Sequence, residues 1–174
     1  LSLLAAMQTA KVNRLVFSST AAVYGNQTDG GLLAEHLPRA PINPYGDSKA
    51  MIETVLEACV AAYGLQAIAL RYFNASGADP DGRTGERHDP ETHLIPLVIQ
   101  AAQGLRPQIN IYGTDYDTDD GTCIRDYIHV SDLATGHVAA VSTLLQTDGP
   151  VFTPLNLGTG SGHSVREVID AVTE

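Results

Sequence analysis

The sequence predicts an α/β fold: a doubly wound parallel sheet joined to part of a second, smaller domain. Two observations carry that expectation. Short runs at 14–19, 66–71 and 153–157 read as strands, the first of them apolar on successive residues (Leu15, Val16, Phe17), as in a strand covered on both faces. Stretches of helical period at 45–63 and 131–145 separate those runs, and strand–helix–strand order argues for parallel pairing. The larger domain is expected to take 1–73 and 130–158. The smaller, discontinuous one is expected to take 74–129 and 159–174.

Leu1, Leu4 and Ala5, with Lys11 near the end, read as an opening helix. The strand at 14–19 leads into a loop at 20–44, punctuated by Pro38, Pro41 and Pro44. In 45–63, Ala50, Met51, Val55, Leu56 and Cys59 recur on one side, and Gly64 ends the helix. The strand at 66–71 is followed by a loop at 74–92 rich in Gly, Asp and Pro. The stretch 93–103 reads as a helix closed by Gly104, with Pro96 in its first turn, where proline is tolerated. Short strands are expected at 109–112 and 126–130, and Ser131 is expected to cap the helix that runs to about 145. The run at 153–157 returns to the main sheet, and Ser164-x-x-Glu167 is a capping box that opens a last helix.

The chain of 174 residues is long enough for one good core. No run of 18 apolar residues occurs, so no membrane span is expected. Cys59 and Cys123 have no metal or redox spacing and read as reduced thiols. The net charge is −10 and unevenly placed: residues 76–174 hold five Arg against fifteen Asp and Glu, whereas 1–75 are balanced at five and five. Nucleic-acid binding is disfavoured, because phosphate neutralisation needs a basic face. An anionic ligand would have to be met by local Arg, backbone N–H and amide donors. The chain opens on Leu1 without Met and stops inside a helical stretch, so it reads as a piece of a longer protein cut at both ends.

The chemistry concentrates in 18–49. Tyr45 and Lys49, four residues apart, share one helix face. Ser18, Ser19 and Thr20 end an apolar strand and can stand at the mouth of the same sheet. A cation about 6 Å from a phenol, at an effective dielectric near 20, favours the phenolate by about 2.8 kcal/mol, and a second positive charge would add to that. Only two lysines occur, Lys11 and Lys49. The plainer readings are a surface helix pair for Tyr45 and Lys49, and strand-end capping for the three hydroxyls. Other stretches imitate sites. The run 115–121 resembles a calcium loop, but its glycine falls one position late and its twelfth position is Asp126. His88, Glu91 and His93 lack the His-Glu-x-x-His spacing and read as loop residues, so no metal is expected. Gly158-Thr159-Gly160-Ser161-Gly162 is one residue short of a dinucleotide fingerprint.

Four further strings give a resemblance. They are Val16-Phe17-Ser18-Ser19-Thr20-Ala21-Ala22-Val23-Tyr24-Gly25, Leu70-Arg71-Tyr72-Phe73-Asn74, the stretch 120–130 (Asp-Gly-Thr-Cys-Ile-Arg-Asp-Tyr-Ile-His-Val), and Asn156-Leu157-Gly158-Thr159-Gly160. With Tyr45 and Lys49 they make the chain similar, from end to end, to the extended short-chain dehydrogenase/reductase family in its UDP-sugar 4-epimerase branch. That resemblance implies a Rossmann-like sheet, NAD as cofactor, a UDP-sugar substrate, a homodimer and a cytoplasmic location, with neither nucleic acid nor membrane as partner. It implies the interconversion of UDP-glucose and UDP-galactose by transient oxidation at C4. Tyr45, Lys49 and Thr20 would be catalytic. Ser18, Thr20, Tyr45, Lys49 and Tyr72 would meet the cofactor, and Asn74, His93, Leu94, Tyr112 and Arg125 the substrate. Many members carry Asn where this chain has His93. The Gly-rich fingerprint that should follow the first strand is not found before Ser18. Three other readings stay open. One is an epimerase of UDP-N-acetylglucosamine or of a UDP-uronic acid. The second is a 4,6-dehydratase, against which Ala21-Ala22 speaks. The third is a non-catalytic nucleotide-sensing protein, against which the Thr20/Tyr45/Lys49 set speaks.

Overall fold

A computed structural model of the chain describes residues 1–26 and 31–173; residues 27–30, within the loop expected at 20–44, and Glu174, at the end of the expected smaller domain, lie outside the described residues. In chain order the elements are α1 (Ser2–Thr9), β1 (Arg14–Thr20), a 3-10 turn (Ala21–Tyr24), α2 (Pro44–Tyr63), β2 (Gln66–Tyr72), β3 (Asn74–Ser76), α3 (Leu94–Ala102), β4 (Ile124–His129), α4 (Val130–Gln146), β5 (Val151–Leu157), β6 (Gly162–Ser164) and α5 (Val165–Thr173). They fall into two compact units, one of Leu1–Phe73 with Asp132–Leu157, the other of Asn74–Ser131 with Gly158–Glu174.

The first unit holds a parallel sheet in the order β1-β2-β5. Arg14 pairs with Gln66 and Thr20 with Tyr72, while Gln66 pairs with Val151 and Tyr72 with Leu157. All three strands therefore end level, at one carboxyl edge. Alternation along β2 sends Ala67 to one face, with Leu56, Leu65 and Met7, and Ile68 and Leu70 to the other, with Ala140 and Leu144. Helices α1 and α2 thus cover one face and α4 the other, which is why β2 is buried from Gln66 to Arg71. The Gln66 side-chain amide donates to the carbonyls of Thr147 and Gly149 at 2.9 and 2.7 Å, fastening the connection between α4 and β5. Arg14 Nε donates to the Leu144 carbonyl at 2.9 Å, near the C-terminus of α4, where carbonyls lack helical partners.

In the second unit β3 pairs in parallel with β4, and β4 pairs antiparallel with β6. Helices α3 and α5 pack together, and Val98 of α3 is buried. The expected capping box forms at the start of α5. The Ser164 N–H donates to Glu167 Oε2 at 2.7 Å, and the Glu167 N–H donates to Ser164 Oγ at 3.1 Å.

Several local expectations need correction. The stretch 109–112 is irregular backbone, not a strand. It lies between Pro107 and a left-handed Gly113 (φ +89°), and among the described residues no strand pairs with it. Ser131 does not cap α4. The helix begins at Val130, directly from β4, so no N-cap residue stands between them, and the Ser131 N–H donates to His129 Nδ1 at 3.1 Å. The strand expected at 126–130 starts earlier, at Ile124, and ends at His129; the three-residue strands β3 and β6 were not expected at all.

Candidate active site

Helix α2 starts as its sequence dictates. Asn43 is its N-cap, accepting the Gly46 N–H at 2.8 Å, and Pro44 occupies the first turn. Gly46 is required by close approach. A Cβ there would lie 2.6 Å from the Ala22 carbonyl oxygen and 2.9 Å from Pro41 Cβ. This tight seat fixes the first turn of α2 against the 3-10 turn that follows β1. Tyr45 stands in that turn, 57 % exposed. Lys49, one turn on, donates from Nζ to the Ser18 carbonyl at 2.9 Å and lies 5.7 Å from the centre of the Tyr45 ring and 5.1 Å from that of Phe17.

Thr20 ends β1 and is buried; its Oγ1 accepts the Ala22 N–H at 3.2 Å, capping the 3-10 turn. Ser18 Oγ lies 2.8 Å from the Tyr72 hydroxyl. The first unit therefore connects Ser18, Tyr45, Lys49 and Tyr72 at the carboxyl edge of the sheet, and Thr20 ends the strand that carries Ser18. Carboxyl edges of open parallel sheets are where α/β folds place ligands.

In the second unit, Asn74 donates from Nδ2 to the Asp126 carbonyl at 2.8 Å, which ties it to β4. Arg125 of β4 is exposed and donates to the Ile124 carbonyl at 2.9 Å. His93 is the N-cap residue of α3 and Leu94 its first member. Tyr112 is 83 % exposed in the irregular stretch. Among the described residues, no hydrogen bond joins His93, Leu94 or Tyr112 to Asn74 or Arg125.

The three imitating stretches resolve differently. Asp126 serves the 158–162 loop: its carboxylate accepts the N–H groups of Thr159 at 2.9 Å and Gly160 at 2.8 Å and the Thr159 hydroxyl at 2.8 Å. Those donors already face an anion of the chain itself. Asp120, in the calcium-like run, accepts the N–H and hydroxyl of Thr122 at 2.7 Å and the Ser164 hydroxyl at 2.5 Å; these bonds, with that of Ser164 foremost, hold its carboxyl below the usual range. His88, Glu91 and His93 do come together, with donor atoms within 4.8 Å of one another. Glu91 Oε1 accepts the Thr92 and His93 N–H groups and meets His93 Nδ1, each at 2.8 Å, so this carboxylate organises the entry to α3.

Sequence reasoning missed a buried polar network. Glu53 is fully buried, and Arg71 is 3 % exposed. Glu53 accepts from Ser19 Oγ at 2.6 Å, from Arg71 Nε at 3.1 Å, from Arg71 Nη2 at 2.6 Å and from Arg39 Nη1 at 3.3 Å. Arg71 Nη1 reaches the Tyr24 hydroxyl at 2.8 Å, which donates to Asn156 Oδ1 at 2.7 Å. Burial pushes the Glu53 carboxyl up, but the bonds from Arg71 and Ser19 and the charges of Arg71 and Arg39 outweigh it and leave the group below its ordinary value. A signal was available: Glu53 continues the Tyr45–Lys49 spacing by another four residues and so shares their face.

A parallel α/β sheet with a tyrosine–lysine helix at its carboxyl edge defines a Rossmann-like unit. The chain belongs to the NAD dependent epimerase/dehydratase family, which it matches over residues 1–157. It is 52 % identical over 174 residues to the UDP-glucose 4-epimerase of Azospirillum brasilense, covering all of this chain and 49 % of that protein. The structure of UDP-glucose 4-epimerase from Brucella ovis in complex with NAD superposes with a TM-score of 0.91 at 50 % identity, over 98 % of this chain and 51 % of that one. The Bifidobacterium longum UDP-glucose 4-epimerase in complex with NAD+ and UDP gives a TM-score of 0.87 at 42 % identity, over 97 % and 50 %. The chain spans about half the length of the curated relatives it matches.

Proposed function

We propose that this chain supplies part of a UDP-glucose 4-epimerase, which interconverts UDP-glucose and UDP-galactose with NAD as its resident cofactor. The observation that carries the reading is the Ser18, Tyr45, Lys49 and Tyr72 cluster at the sheet edge. Relatives of that name, about half identical to this chain, support it. The donor set fits a nicotinamide ribose: a lysine ammonium and a tyrosine hydroxyl one helical turn apart, with the tyrosine open to solvent.

The cofactor, when bound, supplies hydride acceptance and return at sugar C4. Tyr45 takes the proton of the 4-hydroxyl and gives it back. Lys49 holds the ribose beside Tyr45. Thr20 hydrogen-bonds the same sugar oxygen. Ser18 and Tyr72 line the nicotinamide side. Asn74, His93, Leu94, Tyr112 and Arg125 hold the UDP moiety, with Arg125 forking the diphosphate. Fixing base and reacting carbon together makes the steps effectively unimolecular.

The 1–73 and 130–158 stretches are assigned to the cofactor and 74–129 and 159–174 to the substrate. The functional protein is read as a cytoplasmic homodimer of galactose metabolism. The unpaired thiols of Cys59 and Cys123 agree with a reducing compartment, and exposed Met51 and Ile52 of α2 suit a helix-packed dimer.

The test is a full-length protein in which this chain replaces the matching half of the Brucella ovis enzyme. It is assayed for UDP-galactose formed from UDP-glucose, with UDP-N-acetylglucosamine run alongside. Conversion is expected. A folded, NAD-loaded protein that converts neither sugar overturns the reading.

A further inference from the structure

We infer that His137 fixes the direction of a hydrogen-bond chain through Tyr72 to Ser18 and so makes the Ser18 hydroxyl an acceptor toward the cofactor; this rests on the cofactor site proposed above. His137 lies half-buried on α4, one turn after Leu133. Its Nδ1 stands 2.7 Å from the Leu133 carbonyl oxygen. A carbonyl only accepts, so Nδ1 carries a proton, and in the neutral ring Nε2 is a bare acceptor. Nε2 stands 2.5 Å from the Tyr72 hydroxyl.

A phenol has one proton and here two neighbours, Nε2 and Ser18 Oγ at 2.8 Å. With that proton donated in a hydrogen bond to Nε2, the phenol oxygen is left to accept from the Ser18 hydroxyl. The Ser18 hydroxyl proton is then committed inward, and its lone pairs face outward to an N–H or O–H donor of the cofactor. A proton on Nε2 reverses the His137–Tyr72 and Tyr72–Ser18 bonds and turns the Ser18 hydroxyl into a donor. The titratable group bonded to His137 is Tyr72 of β2; at the far end Lys49 of α2 holds the Ser18 carbonyl at 2.9 Å. The ring is held close to the sheet because its neighbour is Gly136, where a Cβ would lie 2.9 Å from Leu157 Cδ1. His137 is thus a positioning residue, acting through Tyr72.

The test uses a full-length protein carrying this chain, loaded with NAD. Nitrogen-15 NMR of the His137 ring is expected to show the Nδ1–H tautomer; a dominant Nε2–H tautomer overturns the inference. His137→Phe and Tyr72→Phe are each expected to weaken NAD retention by roughly fivefold, the worth of one hydrogen bond, with the double variant no worse than either. Additive losses overturn it. His137→Gln keeps an acceptor and is expected to recover most of the loss, and no recovery counts against the inference. The NMR measurement needs neither a variant nor turnover. A protein that shows the Nδ1–H tautomer but converts no UDP-sugar therefore defeats the proposed function and leaves the relay standing.

Discussion

Glu53 and Arg71 form a two-point ion pair inside the first unit, Nε to Oε1 at 3.1 Å and Nη2 to Oε2 at 2.6 Å. Glu53 sits two turns along α2 from Tyr45, while Arg71 precedes Tyr72 on β2. Ser19, which donates to the same carboxylate, precedes Thr20 on β1. One buried carboxylate therefore ties together the three elements that carry the proposed catalytic and cofactor-binding residues.

Breaking that pair from one side leaves an uncompensated buried charge. Arg71→Ala or Glu53→Ala is expected to cost about 3–5 kcal/mol, and replacing both residues by apolar ones less than either single change. Urea unfolding of the four proteins checks this, and a double variant at least as unstable as the sum of the singles refutes it.

The acid limb of stability follows from the same group. Glu53 is depressed below its ordinary value of 4.5 when folded. Its contribution is full above that value and is lost as pH falls through the lower, folded-state value. Wild type should lose stability below pH 4.5 more steeply than Glu53→Gln, which has no proton to take up there. Denaturant midpoints measured across the acid range decide it, and parallel curves exclude the assignment.

Gly46 tests the seat of the helix that carries the proposed base. Gly46→Ala places a methyl group 2.6 Å from the Ala22 carbonyl, so the first turn of α2 must shift. In a full-length protein the expected outcome is lower kcat with KM for the UDP-sugar nearly unchanged, because the proposed anchoring groups in the second unit are untouched. A change confined to KM contradicts the geometry.

Chemistry and anchoring are expected to separate. Tyr45→Phe deletes the proposed base and should remove most of kcat, on the order of 10²-fold or more, while UDP binding persists. Arg125→Ala should raise KM instead. Steady-state kinetics with a UDP-binding titration reads both, and the reverse pattern would show the roles to be exchanged.

Much of this architecture is legible in the amino-acid order because long elements leave periodic signals. The apolar Leu15-Val16-Phe17 run and the stripe of 45–63 mark β1 and α2 by residue type and spacing alone. Three residues carry no period, so β3 and β6 leave no trace. The half-buried Ile109 and Ile111 alternate with polar neighbours like a strand, but strands need partners and the described residues offer none there. Within the site, Tyr45 and Lys49 are neighbours in sequence and easily read as a pair. Glu53 meets Ser19 and Arg71 across 34 and 18 residues, and a lone Glu on a helix looks like solvent-facing charge until the fold closes over it. His137 is hidden for the same reason: its meaning lies in Tyr72, 65 residues away.

The central place of β2 sets a timetable for opening. Among the described residues it alone in its sheet has a neighbour on each side, and helices shield both faces. Its amides should be among the last in the first unit to exchange with deuterated water, whereas those of the exposed opening turn of α1 exchange through small local excursions. The floor of the proposed cofactor site would thus keep its shape while the outer helix of the unit opens and recloses many times.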